Sequence, residues 1–172
     1  MHKAFFLDRD GVINVDKSYV YKVEDFEFID GVFDTLKYIQ SKGYKLFIVT
    51  NQSGIGRGYY TIKDFLNLTL WMKNEFKNND INIEEVQYCP HAPEENCNCR
   101  KPKTGMIDNI LQKFDIDLEN SWFVGDKDSD IKCANSANIK NSVQVKSGQD
   151  FDENKTDAKY VLNSIKEIKN LI

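Results

Sequence analysis

Proline, glycine and histidine are scarce in this chain, and long apolar runs are missing. The 172 residues include 3 Pro, 9 Gly and 2 His, a composition that excludes collagen-like and low-complexity classes. No apolar run approaches the ~18 residues of a membrane helix, so no membrane association is expected. The first apolar run covers residues 4–7 before the charge of Asp8. Such a run is too short for a signal peptide, and a cytoplasmic location is expected.

A basic excess is missing as well. Lys and Arg total 23 against 27 Asp and Glu, which gives a net charge of -4. A protein that grips a polyanion over a broad face carries the opposite sign, so nucleic acid is not an expected partner. The length and the 41% of hydrophobic residues fit one globular domain over residues 1–172. No unaccounted apolar stripe is evident in the sequence, which favours a monomer.

Short apolar runs alternate with segments of helical periodicity. Strands are predicted at residues 3–7, 46–49, 84–88, 121–124 and 142–145. Helices are predicted at residues 30–42, with Asp30 as the cap, and at 61–76, 105–114 and 131–137. Residues 148–156 read as a polar surface segment, and residues 160–172 are expected to close the fold with a last strand or helix. This alternation predicts a parallel sheet with helices on both faces, whose ligands bind at the carboxyl ends of the strands.

Asp8 and Asp10 follow the first predicted strand, two residues apart. If the extended geometry persists through Arg9, both side chains lie on one face. Two close carboxylates repel each other and separate their pKa values, which suits one to be an ionised nucleophile and the other a proton donor. A solvated loop rich in Asp is the alternative that so short a motif leaves open.

Polar residues also follow two later strands. Residues 50–58 read Thr-Asn-Gln-Ser-Gly-Ile-Gly-Arg-Gly, and the backbone donors of such a loop can approach a phosphate. A polar turn rich in Gly is the alternative. Asp126 and Asp130 follow the strand at 121–124, although Asp130 could equally cap the next helix. Acidic residues that gather at one edge of the sheet repel each other and would be destabilising without a cation. Mg²⁺ is the natural candidate.

Three cysteines and one histidine lie within 11 residues: Cys89, His91, Cys97 and Cys99. Three thiolates and an imidazole are the ligand set of a closed tetrahedral Zn²⁺ site. Disulfides are a competing interpretation that a cytosolic chain disfavours, and a 4Fe–4S cluster is disfavoured because one ligand would be His. With all four positions filled, the zinc would be structural and would pin the loop that carries Arg100 and Lys101. Cys133 is expected to be a buried small hydrophobe.

Four sequence segments occur in a fixed order along the chain, each after a predicted strand or in the loop where it is expected. They are Phe6-Leu7-Asp8-Arg9-Asp10-Gly11-Val12-Ile13-Asn14, the loop at 50–58, Arg100-Lys101-Pro102-Lys103 and Val124-Gly125-Asp126-Lys127. Together they resemble the motifs of the haloacid dehalogenase phosphatase superfamily, in its D-glycero-D-manno-heptose 1,7-bisphosphate 7-phosphatase and histidinol-phosphatase branch. The resemblance implies a three-layer, Rossmann-like α/β fold with a mostly parallel central sheet. It also implies that there is no large cap domain and that residues 89–99 form a small zinc-binding loop.

The resemblance further implies a phosphatase mechanism. Asp8 would take the phosphoryl group as an aspartyl-phosphate, and Asp10 would protonate the departing oxygen and then activate water. Thr50 and Lys101 would contact the phosphoryl oxygens. Catalytic Mg²⁺ would be held by Asp8, by the backbone carbonyl of Asp10 and by Asp126, with Asp130 supporting it through water.

The substrate implied by the resemblance is a small phosphorylated sugar. The expected substrate-binding residues are Asp16, Lys17, Ser18, Tyr19, Thr50, Asn51, Gln52, Ser53, Arg100, Lys101 and Lys127. Residues 16–19, 99–106 and 125–127 look more like the heptose bisphosphate enzymes than like the histidinol-phosphatases. The stretch between His91 and Cys97 is nevertheless shorter than in some heptose enzymes. On the likeness of these three segments, the expected activity is removal of the 7-phosphate of D-glycero-D-manno-heptose 1,7-bisphosphate in nucleotide-activated heptose biosynthesis.

Charge gives a physical criterion for choosing between the substrates. A bisphosphate needs a second cationic pocket, and the candidates are Arg57, Arg100, Lys103 and Lys127. Histidinol phosphate, the alternative substrate, would favour acidic neighbours such as Asp16 and residues 94–95. A zinc-stabilised binding module without catalysis is disfavoured because the motif residues are complete. A nucleic-acid 3′-phosphatase is disfavoured by the pI near 5.3.

Overall fold

A six-stranded sheet forms the centre of the computed structural model, which describes residues 1–172. The strands are β1 (Ala4–Leu7), β2 (Lys45–Asn51), β3 (Ile83–Cys89), β4 (Trp122–Gly125), β5 (Asn141–Val145) and β6 (Tyr160–Leu162). Their order across the sheet is β3-β2-β1-β4-β5-β6, and all neighbouring strands are parallel. The predicted α/β fold with a parallel sheet is confirmed.

The first strand lies in the middle of the sheet. Its four residues are fully buried, as expected of a strand covered on both faces. Leu7, at its carboxyl end, pairs with Ile48 of β2 and with Val124 of β4. The residues that follow these three positions therefore emerge side by side at one edge of the sheet.

Five helices and three short 3-10 segments connect the strands, and a fourth 3-10 segment follows β6. The helices are α1 (Val32–Ser41), α2 (Ser53–Gly56), α3 (Ile62–Asn78), α4 (Gly105–Lys113) and α5 (Asp128–Ser136). The 3-10 segments are Val23–Asp25, Pro93–Glu95, Leu118–Asn120 and Ile165–Asn170. The longest helix has 17 residues, and none combines the length and the apolar character that crossing a bilayer requires.

Helices cover both faces of the sheet. On one face α1, α3 and the 3-10 segment Ile165–Asn170 pack against alternate strand residues such as Phe5 and Ile48. On the other face α4 and α5 pack against the intervening residues, such as Phe6 and Phe47. The two cores belong to a three-layer arrangement, since strand side chains alternate between faces. The connections between the strands consist of these helices, 3-10 segments and loops, without an inserted cap domain.

The structure corrects two local predictions. Asp30 does not cap α1, because Gly31 is the N-cap residue with a φ of 79° and Asp30 instead pairs with Lys166 at 3.0 Å. Helix α5 begins at Asp128, three residues before the predicted start. Its early start follows from Asp130, whose carboxylate accepts the backbone N–H of the N-cap residue Lys127 at 3.0 Å.

Candidate active site

The carboxyl ends of β1, β2 and β4 bring together three buried polar residues. Asp8 directly follows β1, Thr50 lies near the end of β2 and Asp126 directly follows β4. Their exposed fractions are 5%, 0% and 0%. Parallel sheets bind ligands at this edge, so the central strands deliver polar groups to the position where a site is expected.

Asp8 is a buried carboxylate that has two donors. Its Oδ1 accepts the backbone N–H of Arg9 at 2.8 Å and the Nζ of Lys101 at 3.0 Å. Burial and the nearby carboxylate of Asp130 raise the pKa of Asp8 well above its ordinary value, and Lys101 opposes this shift. Additional positive charge close to Asp8 would favour its ionised form.

Asp10 has the opposite electrostatic setting. Its Oδ1 accepts from Arg9 Nη2 at 2.9 Å and from Asn14 Nδ2 at 3.0 Å, and its Oδ2 accepts from Gln52 Nε2 at 3.2 Å. Burial opposes ionisation, but the Arg9 guanidinium and these hydrogen bonds lower the pKa of Asp10. The pKa values of the two aspartates therefore shift in opposite directions. The direction is the reverse of the expected roles, because the pKa of Asp8, the expected nucleophile, is raised and that of Asp10, the expected proton donor, is lowered. Their unlike partners, Asp130 beside Asp8 and Arg9 beside Asp10, account for this difference.

Arg9, for which the sequence predicts no role, lies between these two carboxylates. It is 1% exposed, and its Nη2 also donates to the carbonyl of Val20 at 2.8 Å. The guanidinium carbon lies 5.8 Å and 5.9 Å from the ring centres of Phe26 and Phe65. An arginine next to charged residues is ordinarily exposed, so the sequence carried no signal for this burial.

Lys101 is a buried cation between two carboxylates. Its Nζ lies 3.0 Å from Asp8 Oδ1 and 2.7 Å from Asp130 Oδ1, and it donates to the carbonyl of Val49 at 2.8 Å. Burial opposes the charge, but Asp130 and Asp8 raise the pKa of Lys101 above its usual value. Lys101 is thus protonated at neutral pH and held against Asp8.

Asn51 fixes the backbone of Lys101. The N–H of Lys101 donates to Asn51 Oδ1 at 3.0 Å, and Asn51 Nδ2 donates to the Lys101 carbonyl at 3.3 Å. Both ends of the Asn51 amide are engaged by one residue, so this side chain ties the loop after β3 to the end of β2.

An acidic cluster lies beside Asp8. One carboxylate oxygen of each of Asp8, Asp126 and Asp130 lies within 4.8 Å of the others. Asp126 Oδ2 accepts the backbone N–H of Gln149 at 2.8 Å, whereas its Oδ1 is buried without a hydrogen-bond partner. A buried, unpaired carboxylate oxygen among other carboxylates is a suitable ligand for a hard cation. The donor set therefore fits the predicted Mg²⁺.

Asp130, the third acidic residue of the cluster, has hydrogen-bond and ion-pair partners within the protein. Asp130 Oδ2 accepts the backbone N–H groups of Asp126 and Lys127 at 3.1 Å and 3.0 Å, and its Oδ1 pairs with Lys101. Burial and Asp130 raise the pKa of Asp126. Two glycines leave room for Asp126, because a Cβ at Gly11 or Gly148 would lie 2.6 Å or 2.2 Å from its Oδ2.

The loop predicted at residues 50–58 contains a short helix, because Ser53–Gly56 forms α2. At its start, the buried Gln52 donates from Nε2 to Thr50 Oγ1 at 2.9 Å. The hydroxyl of Tyr60 donates to Gln52 Oε1. The polar residues of this segment are therefore linked to each other inside the protein, an arrangement that their spacing did not reveal.

A cavity of about 260 Å³ opens next to Asp10. Its lining residues are Asp10, Asp16, Ser18, Tyr19, Asn51, Gln52, Ser53, Arg57, Tyr60, Arg100, Lys127 and Gln149. A smaller pocket of about 20 Å³ shares Asp10, Asn51 and Lys127 and reaches Asp8 and Lys101. The two spaces form a path from the surface to the buried carboxylates.

Most of the predicted substrate residues surround this path. Eight line the cavity, namely Asp16, Ser18, Tyr19, Asn51, Gln52, Ser53, Arg100 and Lys127. Thr50 and Lys101 are buried beside it. Lys17 is exposed and is not among the lining residues. Gln149 belongs to the segment predicted as polar surface, yet its Nε2 donates to Asp16 Oδ2 at 2.9 Å and its backbone holds Asp126.

The predicted zinc ligands form a second cluster. One ligand atom from each of Cys89, His91, Cys97 and Cys99 lies within 4.8 Å of the others. His91 Nδ1 is 3.4 Å and 3.3 Å from the sulfurs of Cys89 and Cys99, and the latter two sulfurs are 2.7 Å apart. None of the cysteines is in a disulfide. Three thiols and one imidazole converging on one point are the donor set of a structural zinc site.

The backbone favours a thiolate in this cluster. The N–H of Arg100 donates to Cys97 Sγ at 3.4 Å. Burial opposes ionisation, but this hydrogen bond and the contact with Cys89 lower the pKa of Cys97 to about 6. Because Arg100 and Lys101 follow Cys99 directly, a metal here would fix the residues that enter the cavity and contact Asp8. Cys133 is buried on α5, as expected.

Comparisons with known proteins agree with this geometry. A family model described as "HAD-hyrolase-like" matches residues 98–168. The D-glycero-alpha-D-manno-heptose-1,7-bisphosphate 7-phosphatase of Campylobacter jejuni is 49% identical over 168 residues, with 96% of each chain covered. The D-glycero-beta-D-manno-heptose-1,7-bisphosphate 7-phosphatase of Helicobacter pylori is 51% identical over 143 residues, with 83% of each chain covered.

A solved structure extends the similarity to the fold. The D,D-heptose 1,7-bisphosphate phosphatase of B. bronchiseptica, complexed with magnesium and phosphate, superposes with a TM-score of 0.85 at 25% identity. The match covers 98% of this chain and 97% of that chain. The similarity therefore extends over nearly the full length of both proteins.

Proposed function

Because the chain belongs to the heptose-1,7-bisphosphate 7-phosphatase branch of the haloacid dehalogenase superfamily, we propose that it hydrolyses the 7-phosphate of D-glycero-D-manno-heptose 1,7-bisphosphate. It is a phosphoric monoester hydrolase, and its product feeds nucleotide-activated heptose synthesis. The observation that carries this proposal is the pairing of Asp8 with Lys101 at 3.0 Å, beside the unpaired oxygen of Asp126.

In this proposal Asp8 is the nucleophile. Lys101 and the N–H of Arg9 both contact its Oδ1, which leaves Oδ2 free to attack phosphorus. Mg²⁺, held by Asp8, Asp126 and the backbone carbonyl of Asp10, would supply positive charge that stabilises the transferring phosphoryl group. Attack by Asp8 forms an aspartyl-phosphate and releases the sugar alkoxide.

Asp10 and Thr50 complete the proposed chemistry. In this proposal the negative charge of the bound substrate offsets the Arg9 guanidinium that lowers the pKa of Asp10, so that Asp10 enters the reaction protonated. It gives that proton to the leaving oxygen and then takes one from the water that hydrolyses the aspartyl-phosphate. Thr50 Oγ1 accepts a hydrogen bond from Gln52, so its own proton is left to donate. A phosphoryl oxygen would replace the long 3.5 Å contact of this hydroxyl with the Asn51 carbonyl. Lys101 supplies a second donor with full charge.

The second phosphate of the substrate needs a cationic pocket. Of the four candidate side chains, Arg57, Arg100 and Lys127 line the cavity. Lys103 instead donates to the carbonyl of Cys97 and is not among the cavity residues. Arg100 Nη1 is buried without a hydrogen-bond partner. Because Arg100 also lines the cavity, a second phosphate bound there would pair with its guanidinium, which supports a bisphosphate as the substrate.

No observation favours histidinol phosphate. Asp16 lines the cavity, but its two oxygens accept from Ser18 N at 3.0 Å and Gln149 Nε2 at 2.9 Å. Glu94 and Glu95 are exposed and do not line the cavity. The cationic lining is the charge pattern that a second phosphate requires.

The proposal extends to the context of the reaction. Residues 1–172 act as one catalytic domain, with structural zinc in the loop 89–99, and the enzyme works as a monomer in the cytoplasm. A reducing compartment keeps the zinc thiols available. Neither nucleic acid nor a membrane takes part.

Phosphorus NMR tests the proposal directly. The protein is incubated with Mg²⁺ and each anomer of the heptose 1,7-bisphosphate. The expected result is that the 7-phosphate signal is replaced by inorganic phosphate while the 1-phosphate signal is retained. Release of the 1-phosphate first, or no release from either anomer, would overturn the assignment.

A further inference from the structure

Tyr60 lines the cavity beside Asp10, but its hydroxyl bonds to Gln52 and not to a carboxylate. It is the last residue before the N-cap of α3, it is 5% exposed, and its ring stacks on Tyr21 with centroids 5.0 Å apart. A Cβ at Gly54 would lie 2.2 Å from its ring, so the glycine provides the space that the ring occupies. The position of the Tyr60 hydroxyl is therefore fixed by packing on two sides.

The Tyr60 hydroxyl contacts one polar group, the side chain of Gln52. It donates to Gln52 Oε1, which leaves Nε2 of the same amide facing Asp10 Oδ2 at 3.2 Å and Thr50 Oγ1 at 2.9 Å. The reversed amide would bring its oxygen against the Asp10 carboxylate, an arrangement without a hydrogen bond. The acceptor-only carboxylate of Asp10 thus sets which end of the amide is Nε2, and the Tyr60 hydroxyl anchors the opposite end of the amide at Oε1.

Each of these two hydrogen bonds has a chemical consequence. Thr50 Oγ1 accepts from Gln52, so the hydroxyl of Thr50 acts as a donor. Its acceptor in the structure is the Asn51 carbonyl at 3.5 Å, a distance long enough for a closer oxygen to replace it. The carboxylate plane of Asp10 is set by three donors, with Arg9 and Asn14 on Oδ1 and Gln52 on Oδ2. One buried amide therefore orients a phosphoryl-binding hydroxyl and the acid-base carboxylate together.

We propose that Tyr60 is a positioning residue for phosphoryl transfer that acts through Gln52 on Thr50 and Asp10. This inference rests on the proposed function for the roles of Thr50 and Asp10. Without the Tyr60 hydroxyl, the buried Oε1 of Gln52 loses its hydrogen-bond partner, and the amide is held at one end only. The reacting groups then spend more time in unproductive orientations, and positioning errors of this kind reduce the rate of the chemical step.

The test is a kinetic comparison of Tyr60→Phe with a matched control. Tyr60→Phe keeps the stacked ring and removes only the hydroxyl. The control, Tyr59→Phe, removes the hydroxyl of the adjacent tyrosine, whose side chain is 55% exposed. We expect Tyr60→Phe to lower kcat about tenfold with KM changed less than about twofold, and Tyr59→Phe to match the wild type.

Repeating the Tyr60→Phe change in a Gln52→Ala variant separates positioning through Gln52 from a general loss of structure. In Gln52→Ala the link is already absent, so adding Tyr60→Phe should cause no further loss of kcat. Three results would each overturn the proposal. They are a double variant whose loss of kcat equals the product of the two single losses, a rise in KM without a fall in kcat in Tyr60→Phe, and equal losses of kcat in Tyr60→Phe and Tyr59→Phe. Circular dichroism shows whether each variant is folded at the assay temperature.

The readout also distinguishes this inference from the proposed function. All ratios are measured with p-nitrophenyl phosphate as well as with the heptose bisphosphates, because the positioning effect concerns the phosphoryl group and not the sugar. If the wild type rejects the heptose substrates but Tyr60→Phe still lowers kcat on the small ester, the proposed substrate fails and the positioning role stands. If the wild type hydrolyses a heptose substrate but Tyr60→Phe leaves kcat unchanged on both kinds of substrate, the positioning role alone is overturned.

Discussion

Arg100 and Lys103 belong to the same loop but have different surroundings. Arg100 lines the cavity and has a buried Nη1 without a partner, whereas Lys103 is exposed and lies outside the cavity lining. We expect Arg100→Met to raise KM for the heptose bisphosphate by about 10- to 100-fold, since a charge-assisted hydrogen bond contributes about 1.5–3 kcal/mol. Steady-state kinetics with the bisphosphate and with p-nitrophenyl phosphate measure the effect.

Lys103→Met is the matched control for this experiment. It removes a charge from the same loop and should leave KM for the bisphosphate near the wild-type value. The second-phosphate pocket would be misassigned if both variants raised KM equally, or if Arg100→Met impaired the small ester as strongly as the bisphosphate.

The buried hydroxyl of Tyr60 gives a pH-dependent contribution to stability. Burial raises the pKa of Tyr60 from 10.0 to about 12. Between these values the unfolded chain has lost this proton and the folded chain retains it, so the free energy of unfolding falls as pH rises through that window. We expect this fall to be smaller in Tyr60→Phe than in the wild type, as measured by urea unfolding at successive pH values from 9 upward.

The exposed neighbour again provides the comparison. Tyr59→Phe should keep the wild-type slope of stability against pH, because the Tyr59 side chain is 55% exposed and folding does not bury its hydroxyl as it buries that of Tyr60. Identical slopes for the wild type and Tyr60→Phe would contradict the burial of this hydroxyl.

Helix α3 begins at a capping box just after Tyr60. Thr61 Oγ1 accepts the N–H of Asp64 at 3.1 Å, and the N–H of Thr61 donates to Asp64 Oδ2 at 2.9 Å. Thr61→Ala should lower the free energy of unfolding by about 1 kcal/mol, the usual cost of losing an N-cap side chain. Urea denaturation with an unchanged m-value measures this loss.

The same helix offers a control with the same chemical change. Thr69 Oγ1 is buried without a hydrogen-bond partner, so Thr69→Ala removes no hydrogen bond and should destabilise the protein less than Thr61→Ala does. The reverse order of stabilities would mean that the capping box does not stabilise α3.

The loop between β3 and α4 connects the zinc ligands with Lys101. Its amino end is fixed by Cys89 in the sheet, and Asn51 holds Lys101 at the other side of the cluster. We expect a zinc-selective chelator, with Mg²⁺ in excess, to lower kcat/KM and to increase hydrogen exchange in residues 90–100 while exchange in β1 and β4 stays slow. Metal analysis should find about one zinc per chain.

Two results would contradict a structural zinc in this loop. One is the absence of zinc from protein purified without chelators. The other is unchanged exchange and activity after all zinc has been removed. Recovery of activity on adding Zn²⁺ to the stripped protein provides the control for irreversible damage.

Local patterns in the sequence predicted most of the elements. Apolar runs such as residues 4–7 and 46–49 are buried strands because both faces of the sheet are covered. Helix α2 was missed because its four residues, Ser53–Gly56, are too few to show a period and contain two glycines. The start of α5 depends on a carboxylate that reaches back to the backbone, which periodicity does not detect.

The sequence predicted the site less completely than the fold. Residues that carry motifs were found because their type and spacing are local. Pairings between distant segments were not found, such as Lys101 with Asp130 and Gln149 with Asp126. Such contacts are set by how the strands align across the sheet, and a single sequence does not display that alignment.

The monomeric state stays a prediction. It rests on the lack of an unaccounted apolar stripe in the sequence, but the structure has such a stripe on its surface. Helix α3 exposes a row of apolar side chains, Ile62, Leu66 and Leu70, at 44%, 49% and 62%. These positions lie four residues apart and thus on one face of the helix. The stripe was not apparent in the sequence because the period alone does not tell which apolar positions the core covers.

The most direct measurement is Mg²⁺-dependent phosphate release from the two heptose 1,7-bisphosphate anomers and from histidinol phosphate, with Asp8→Asn as the blank. One heptose anomer should exceed histidinol phosphate in kcat/KM by at least about 100-fold, or about 2.7 kcal/mol of transition-state discrimination. Asp8→Asn should retain no measurable turnover while remaining folded. A preference for histidinol phosphate, or turnover by Asp8→Asn above a few per cent of the wild type, would contradict a heptose bisphosphate phosphatase with Asp8 as its nucleophile.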